Sequence, residues 1–339
     1  MSTNAPLLDA HVHIVGNGRA GSGCWLRIKG WWHQPLAAYM LRHIGMRGTS
    51  LDAPDFDTVF VDHLSRLVRE SSLDAAVILA QDEVYESSGR KMEGAGSFHV
   101  PNDYVLRLAR EHPEFLPAVS IHPARPDALD ELERCLAAGA VMLKLLPNCH
   151  NVDCNDRRYR RFWERMAEAR LPLLAHTGGE HTVPVIAPAF ADPRILTQPL
   201  ECGVTVIAAH AATKSGLTDP EYFHVFADML PKYPNLFGDT SAWNVPLRGR
   251  HAGKCRTGLL AERLVHGSDY PVPIHGLWAR LRGFISAEDH VRCKAIANVV
   301  ERDYQLKVAM GFGPEHFTRV GAMLRSSGRH GLPFPRALE

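Results

Sequence analysis

Short apolar runs recur along the chain, each followed by a stretch with helical spacing. The runs are Leu7–Val15, Ala75–Ala80, Leu116–Ile121, Val141–Leu146, Leu171–Ala175, Val204–Ala209, Leu236–Thr240 and Leu264–His266. Runs of this length without polar alternation read as strands buried on both faces. Helical patterns fill the gaps at Thr58–Ser71, Asn102–His112, Ala128–Ala138, Arg157–Ala169, Pro193–Cys202, Pro220–Lys232 and Gly253–Glu262. Asp-Pro at 192–193 and 219–220 matches an N-cap followed by proline in the first helical turn. Pro113 and Pro234 break the chain ahead of the third and seventh strands. After the eighth run come Leu277–Ile285 and helical stretches over Ala287–Val300 and Pro314–Ser326.

Eight strands alternating with helices predict one α/β domain over residues 1–339, a single (β/α)8 TIM-type barrel. The barrel is expected over about 6–285 and extra C-terminal helices over about 286–330. A doubly wound open sheet is the runner-up. It needs a glycine-rich phosphate loop after strand 1, and His11-Val12-His13 stands there instead.

A chain of 339 residues suits two domains on length alone, but barrels of this class run that long and no linker breaks the pattern. The net charge of +1 gives no global argument for nucleic acid or a membrane surface. The first six residues carry neither the basic nor the apolar region of a secretory leader. No apolar run approaches a membrane span. Seven scattered cysteines without a C-x-x-C pair suit a reducing compartment. These features predict a cytoplasmic enzyme with a small-molecule substrate, self-association being left open.

The chemistry sits at the ends of the apolar runs. His11 and His13 are two apart on one strand, so their side chains share a side, with Asp9 in phase one layer deeper. Lys144, His176, His210 and Asp269 follow at the ends of later runs. Polar groups at the C-terminal ends of barrel strands gather at one rim. Imidazoles with a carboxylate and a lysine suggest a divalent metal that activates water. Asp269 is read as ligand and proton acceptor, with a turn brace as the alternative. Lys144 is left between a carbamate bridging two metals, a free ammonium for a substrate carboxylate, and a salt bridge. His210 is a second-metal ligand or an acid–base group.

The ordered set resembles the amidohydrolase superfamily, in its amidohydrolase-related branch. The segments that carry the likeness are Asp9-Ala10-His11-Val12-His13, Lys144-Leu145-Leu146-Pro147, Leu174-Ala175-His176-Thr177-Gly178, Ala208-Ala209-His210 and His266-Gly267-Ser268-Asp269-Tyr270-Pro271. The resemblance implies a distorted barrel in which His11, His13, His176 and Asp269 hold a divalent metal, zinc first. It implies that His210 is catalytic in one-metal members and a ligand in two-metal members, where Lys144 would be carboxylated. The branch also holds non-oxidative decarboxylases.

Two loops bear on the substrate. Residues 10–51 lack Asp and Glu but hold Arg19, Arg27, Lys29, Arg42 and Arg47 with Trp25, Trp31 and Trp32. Residues 240–261 also lack acids and hold Arg248, Arg250, Lys254 and Arg256. They follow strands 1 and 7, the neighbours of strand 8 in a closed barrel. Read as function, they form a cationic, aromatic mouth for an anionic substrate. Read as structure, they are solvated surface. Arg248, Arg250, Trp31 and Glu180 are the candidate substrate contacts. The expectation is a metal-dependent hydrolase of a small, anionic ester, lactone or amide. A zinc-dependent decarboxylase and a non-catalytic metal-binding barrel are the alternatives.

Overall fold

The computed structural model describes residues 5–28 and 33–326. Its centre is an eight-stranded parallel sheet in sequential order. The strands are β1 (Leu8–His13), β2 (Ala75–Leu79), β3 (Phe115–Val119), β4 (Met142–Leu145), β5 (Leu173–Ala175), β6 (Val206–Ala208), β7 (Leu236–Asp239) and β8 (Leu264–Val265). The ring closes where the chain after β8 lies beside β1. Ala10 N donates to His266 O, His13 N to Tyr270 O, and Asp269 N to His11 O. The eight runs are thus the staves of a TIM barrel, in the predicted order.

Two cores follow from the alternation of the staves. Ala75, Val77, Leu79, Leu116, Leu174 and Ile207 fill the inside of the ring. Ala76, Ile78, Val119 and Leu173 belong to the larger layer packed with the helices outside. Val320 and Leu324, from the last helix Pro314–Ser326, join the inner core, so a C-terminal helix plugs the ring.

β1 changes phase within its own length. Its pairing with β2 slips between Asp9 and Val12. Leu8 and Ala10 pack in the inner core, whereas Val12 and Ile14 pack in the outer one. A bulge of this kind re-aims the residues beyond it. His11 and His13 therefore turn into the barrel, while Asp9 does not share their side. Its Oδ1 accepts the backbone amides of His11 and Ser268 instead, tying β1 to the chain after β8. The in-phase expectation for Asp9 fails because simple alternation cannot foresee the bulge.

Other departures are local. The expected helix 253–262 is a tight helical run Arg248–Cys255 followed by a short helix Gly258–Arg263. Asp192 caps its turn as expected, accepting from Arg194 N. Asp219 instead accepts from Ser215 N and Gly216 N, and the helix begins only at Phe223. Segment 81–101 carries Phe98–His99, which pairs antiparallel with Trp25–Leu26. That hairpin-like pair and the helix His33–His43 lie over the C-terminal mouth of the ring and line its cavity. All seven cysteines are free thiols. Among the described residues, no helix is long and apolar enough to cross a membrane.

Candidate metal centre

The ends of β1 and β8 bring three donor atoms together. His11 Nε2 lies 3.2 Å from His13 Nε2, and each lies 3.3 Å from Asp269 Oδ1. Two ligands about 2.0–2.1 Å from a tetrahedral zinc stand about 3.3 Å apart. The triangle therefore has the edge length of one face of such a coordination sphere. Among the described residues, these three form the group suited to an ion.

Neighbouring groups fix which atoms face the triangle. His11 Nδ1 lies 2.8 Å from Asp239 Oδ2, so Nδ1 carries the proton and Nε2 presents its lone pair. Burial lowers the His11 pKa to about 4, which keeps the ring neutral. Burial alone would raise Asp269, but the imidazoles of His11, His13 and His210 hold its carboxyl well below the ordinary range. Gly267 leaves room for this packing, since a Cβ there would stand 2.9 Å from His11 Cβ. Asp269 (φ 65°) and His210 (φ 59°) both adopt left-handed backbone, a costly conformation that gathers at functional sites.

His176 does not join the triangle. Its Nδ1 lies 3.3 Å from His210 Nε2. His210 Nδ1 lies 3.0 Å from the Ser241 carbonyl, which only accepts, so His210 carries its proton there and Nε2 is an acceptor. His176 Nδ1 then donates to it. That leaves His176 Nε2 a lone pair, buried and without a hydrogen-bond partner, 3.7 Å from Glu180 Oε2. An orphaned lone pair beside a carboxylate is what a cation would relieve. Burial brings His176 down to about 3 and His210 well below its ordinary value.

Lys144 is completely buried, with Nζ 3.0 Å from His11 Nε2. Burial lowers its pKa to about 8, against the pull of Asp269 and Asp239. Glu180 accepts from the amides of Thr182 and Val183; burial alone would raise its carboxyl, but the His176 ring, the Thr182 hydroxyl and amide and Arg248 hold it below its ordinary value.

The triangle opens on a cavity of about 200 Å³ whose lining includes His13, His176, Glu180, His210 and Asp269. Arg248 lies below the surface, donating to Thr213 O at 3.2 Å and Gly179 O at 2.6 Å. It ties together the loops after β5, β6 and β7 and does not line the cavity. Arg250 pairs with Glu221. Trp31 lies outside the described residues. Asp239 is the site residue that sequence reading missed. The signal was present: a carboxylate ending the apolar run Leu236–Asp239, as Asp269 follows Leu264–Val265.

A family model described as amidohydrolase matches residues 8–283. The chain belongs to the amidohydrolase family. Among solved structures, an uncharacterized TIM-barrel protein of Bordetella bronchiseptica is 16% identical with a TM-score of 0.54, over 88% of this chain and 99% of that one. A probable 2-pyrone-4,6-dicarboxylic acid hydrolase of Acinetobacter baumannii, with citric acid bound, is 15% identical with a TM-score of 0.51, over 91% and 100%. A 4-oxalomesaconate hydratase of Rhodopseudomonas palustris is 15% identical with a TM-score of 0.50, over 95% and 99%. At these identities the likeness is one of fold. No curated protein matches the chain.

Proposed function

We propose that this protein is a metal-dependent hydrolase of a small ester, lactone or amide. The observation that carries the reading is the donor triangle of His11, His13 and Asp269 opening on the cavity at the barrel mouth. These residues would hold the ion, zinc first, with the orphaned His176 Nε2 as a further imidazole donor. When bound, such an ion polarises a carbonyl and acidifies water.

The chain's own groups supply the proton handling. Asp269 commits Oδ1 to the triangle and keeps Oδ2 to accept a proton and return it to a leaving group. His210 has spent its one proton on Ser241, so in the resting state its Nε2 is an acceptor, engaged by His176 Nδ1. It can support a developing negative oxygen only after taking a proton there. Glu180, whose Oε2 lies 3.7 Å from His176 Nε2, places negative charge beside that lone pair and would strengthen its attraction for a cation.

The test is metal analysis together with a panel of esters, lactones, amides and carboxylic acids. Hydrolysis that chelation abolishes and zinc restores is the expected result. A metal-free protein with full activity would overturn the mechanism. Release of carbon dioxide from an acid in the same panel would select decarboxylation, which would use the same residues.

A further inference from the structure

Away from the donor atoms, the cavity wall is largely hydrocarbon, with Arg27, His33, Ser97 and Thr182 as its polar members. Leu26 and Phe98 face each other in the antiparallel pair, Ile28 follows it, Leu36 and Met40 come from the helix His33–His43, and Val272 from the chain after β8. Arg27 is the only Lys or Arg among the described lining residues. Its guanidinium lies 3.9 Å over the Trp25 ring and donates to Ala95 O. Arg248 is committed to two carbonyls beneath the lining, and Arg250 to Glu221. The acidic side chains in the lining are Glu180 and Asp269, both at the donor end of the cavity.

We infer that the site takes a substrate whose non-reacting part is uncharged and apolar, an alkyl chain or an aromatic ring. A carboxylate on that part would leave water for a largely hydrocarbon wall on which Arg27, stacked on Trp25, is the sole cationic side chain among the described residues. Burying a charge without a partner is unfavourable, whereas burying a methyl or ring against such a wall is favourable. A cavity of about 200 Å³ has room for one ring or a medium alkyl chain. Of the cations in the acid-free stretches 10–51 and 240–261, Arg19, Arg27, Arg248 and Arg250 hold loops and surface together. This inference rests on the hydrolase reading only for where the reacting carbonyl sits.

The test is a matched pair of ligands on the zinc-loaded protein: octanamide and its ω-carboxylate, the monoamide of octanedioic acid. They differ by a terminal methyl against a carboxylate. Calorimetry should show octanamide binding at least about 10-fold more tightly. Met40→Lys, at a partly exposed position, should weaken octanamide and bring the carboxylate to equal or better affinity. Equal or tighter binding of the carboxylate to the wild type overturns the inference, as does failure of both ligands to bind. Binding is read apart from turnover. A protein that binds octanamide but hydrolyses no ester, lactone or amide loses the hydrolase reading and keeps the apolar site. A hydrolase that prefers the carboxylate does the reverse.

Discussion

Asp239 Oδ2 lies 2.8 Å from His11 Nδ1, and that contact decides which nitrogen of His11 faces the cavity. The same carboxylate accepts the amide of His210 at 2.6 Å and the hydroxyl of Ser241. Burial would raise the Asp239 pKa, but His11 and these hydrogen bonds hold it well below the ordinary carboxylate range. One charged group at the end of β7 therefore orients the imidazole at the end of β1 and the histidine after β6.

Asp239→Asn should weaken metal binding while leaving every proposed ligand in place. An amide can offer an N–H to His11 Nδ1, which moves the ring proton to Nε2 and blocks the lone pair. Partners of this kind are worth about 10- to 100-fold in affinity. Competition with a chromophoric chelator measures it. An affinity within threefold of the wild type would sink the tautomer argument.

Asp269→Asn should abolish turnover more completely than it depletes metal. Asparagine still offers an oxygen to the triangle but cannot take up a proton. The expected loss is at least about 10²-fold. Metal content and rate measured on one preparation separate the two effects, and near-normal turnover would remove Asp269 from proton transfer.

Lys144 donates to the same His11 lone pair that an ion would use. As a free amine it competes with the metal, so Lys144→Met should tighten binding of the first ion severalfold. A loss of affinity, restored by a short carboxylic acid, would instead indicate a carboxylated lysine and a two-metal centre. Equilibrium zinc titration of both proteins decides between them.

Lys307 is buried in the helix Val299–Ala309 and donates to the carbonyl of Gly267 at 2.5 Å and to Asp303 at 2.6 Å. Gly267 is two residues before Asp269, so a C-terminal helix braces the strand end that carries the carboxylate. Lys307→Met strands Asp303 without its charge partner. Removing one member of a buried pair costs about 3–5 kcal/mol. The double change Lys307→Met, Asp303→Leu should recover a large part of that loss in denaturant titration. No recovery would mean that the pair's value lies in the Gly267 contact.

Acid should destabilise the fold between pH 6.5 and 4. His122 is buried, and burial lowers its pKa to about 4. His150, His266 and His316 are displaced downward for the same reason. In that window the unfolded chain binds protons that the folded chain refuses, so stability present above pH 6.5 is lost as pH falls. His122 alone accounts for about 3 kcal/mol. Asp9, raised to about 6 by burial, works in the opposite sense. His122→Phe should flatten the pH dependence of the denaturation midpoint, and an unchanged slope would exclude His122 as a contributor.

The strand order was legible in the sequence because each stave is buried on both faces and so appears as an uninterrupted apolar run. The rim residues were legible because each stands where such a run ends: His11 and His13, Lys144, His176, His210 and Asp269. Other features rest on contacts between residues far apart in the chain, which periodicity cannot report. Asp239 meets His11 across 228 positions. The slip in β1 that turns His11 and His13 inward and Asp9 aside depends on pairing with β2. The arginines of residues 240–261 looked like a free cationic surface until the fold placed Arg248 against two carbonyls and Arg250 against Glu221. Local burial pattern and residue type thus determined the barrel and the chemistry at its rim. Tertiary structure alone decided which nitrogen faces the cavity, which cations are already tied to partners, and that the cavity wall is largely apolar, because each depends on partners that only folding brings within a few ångströms.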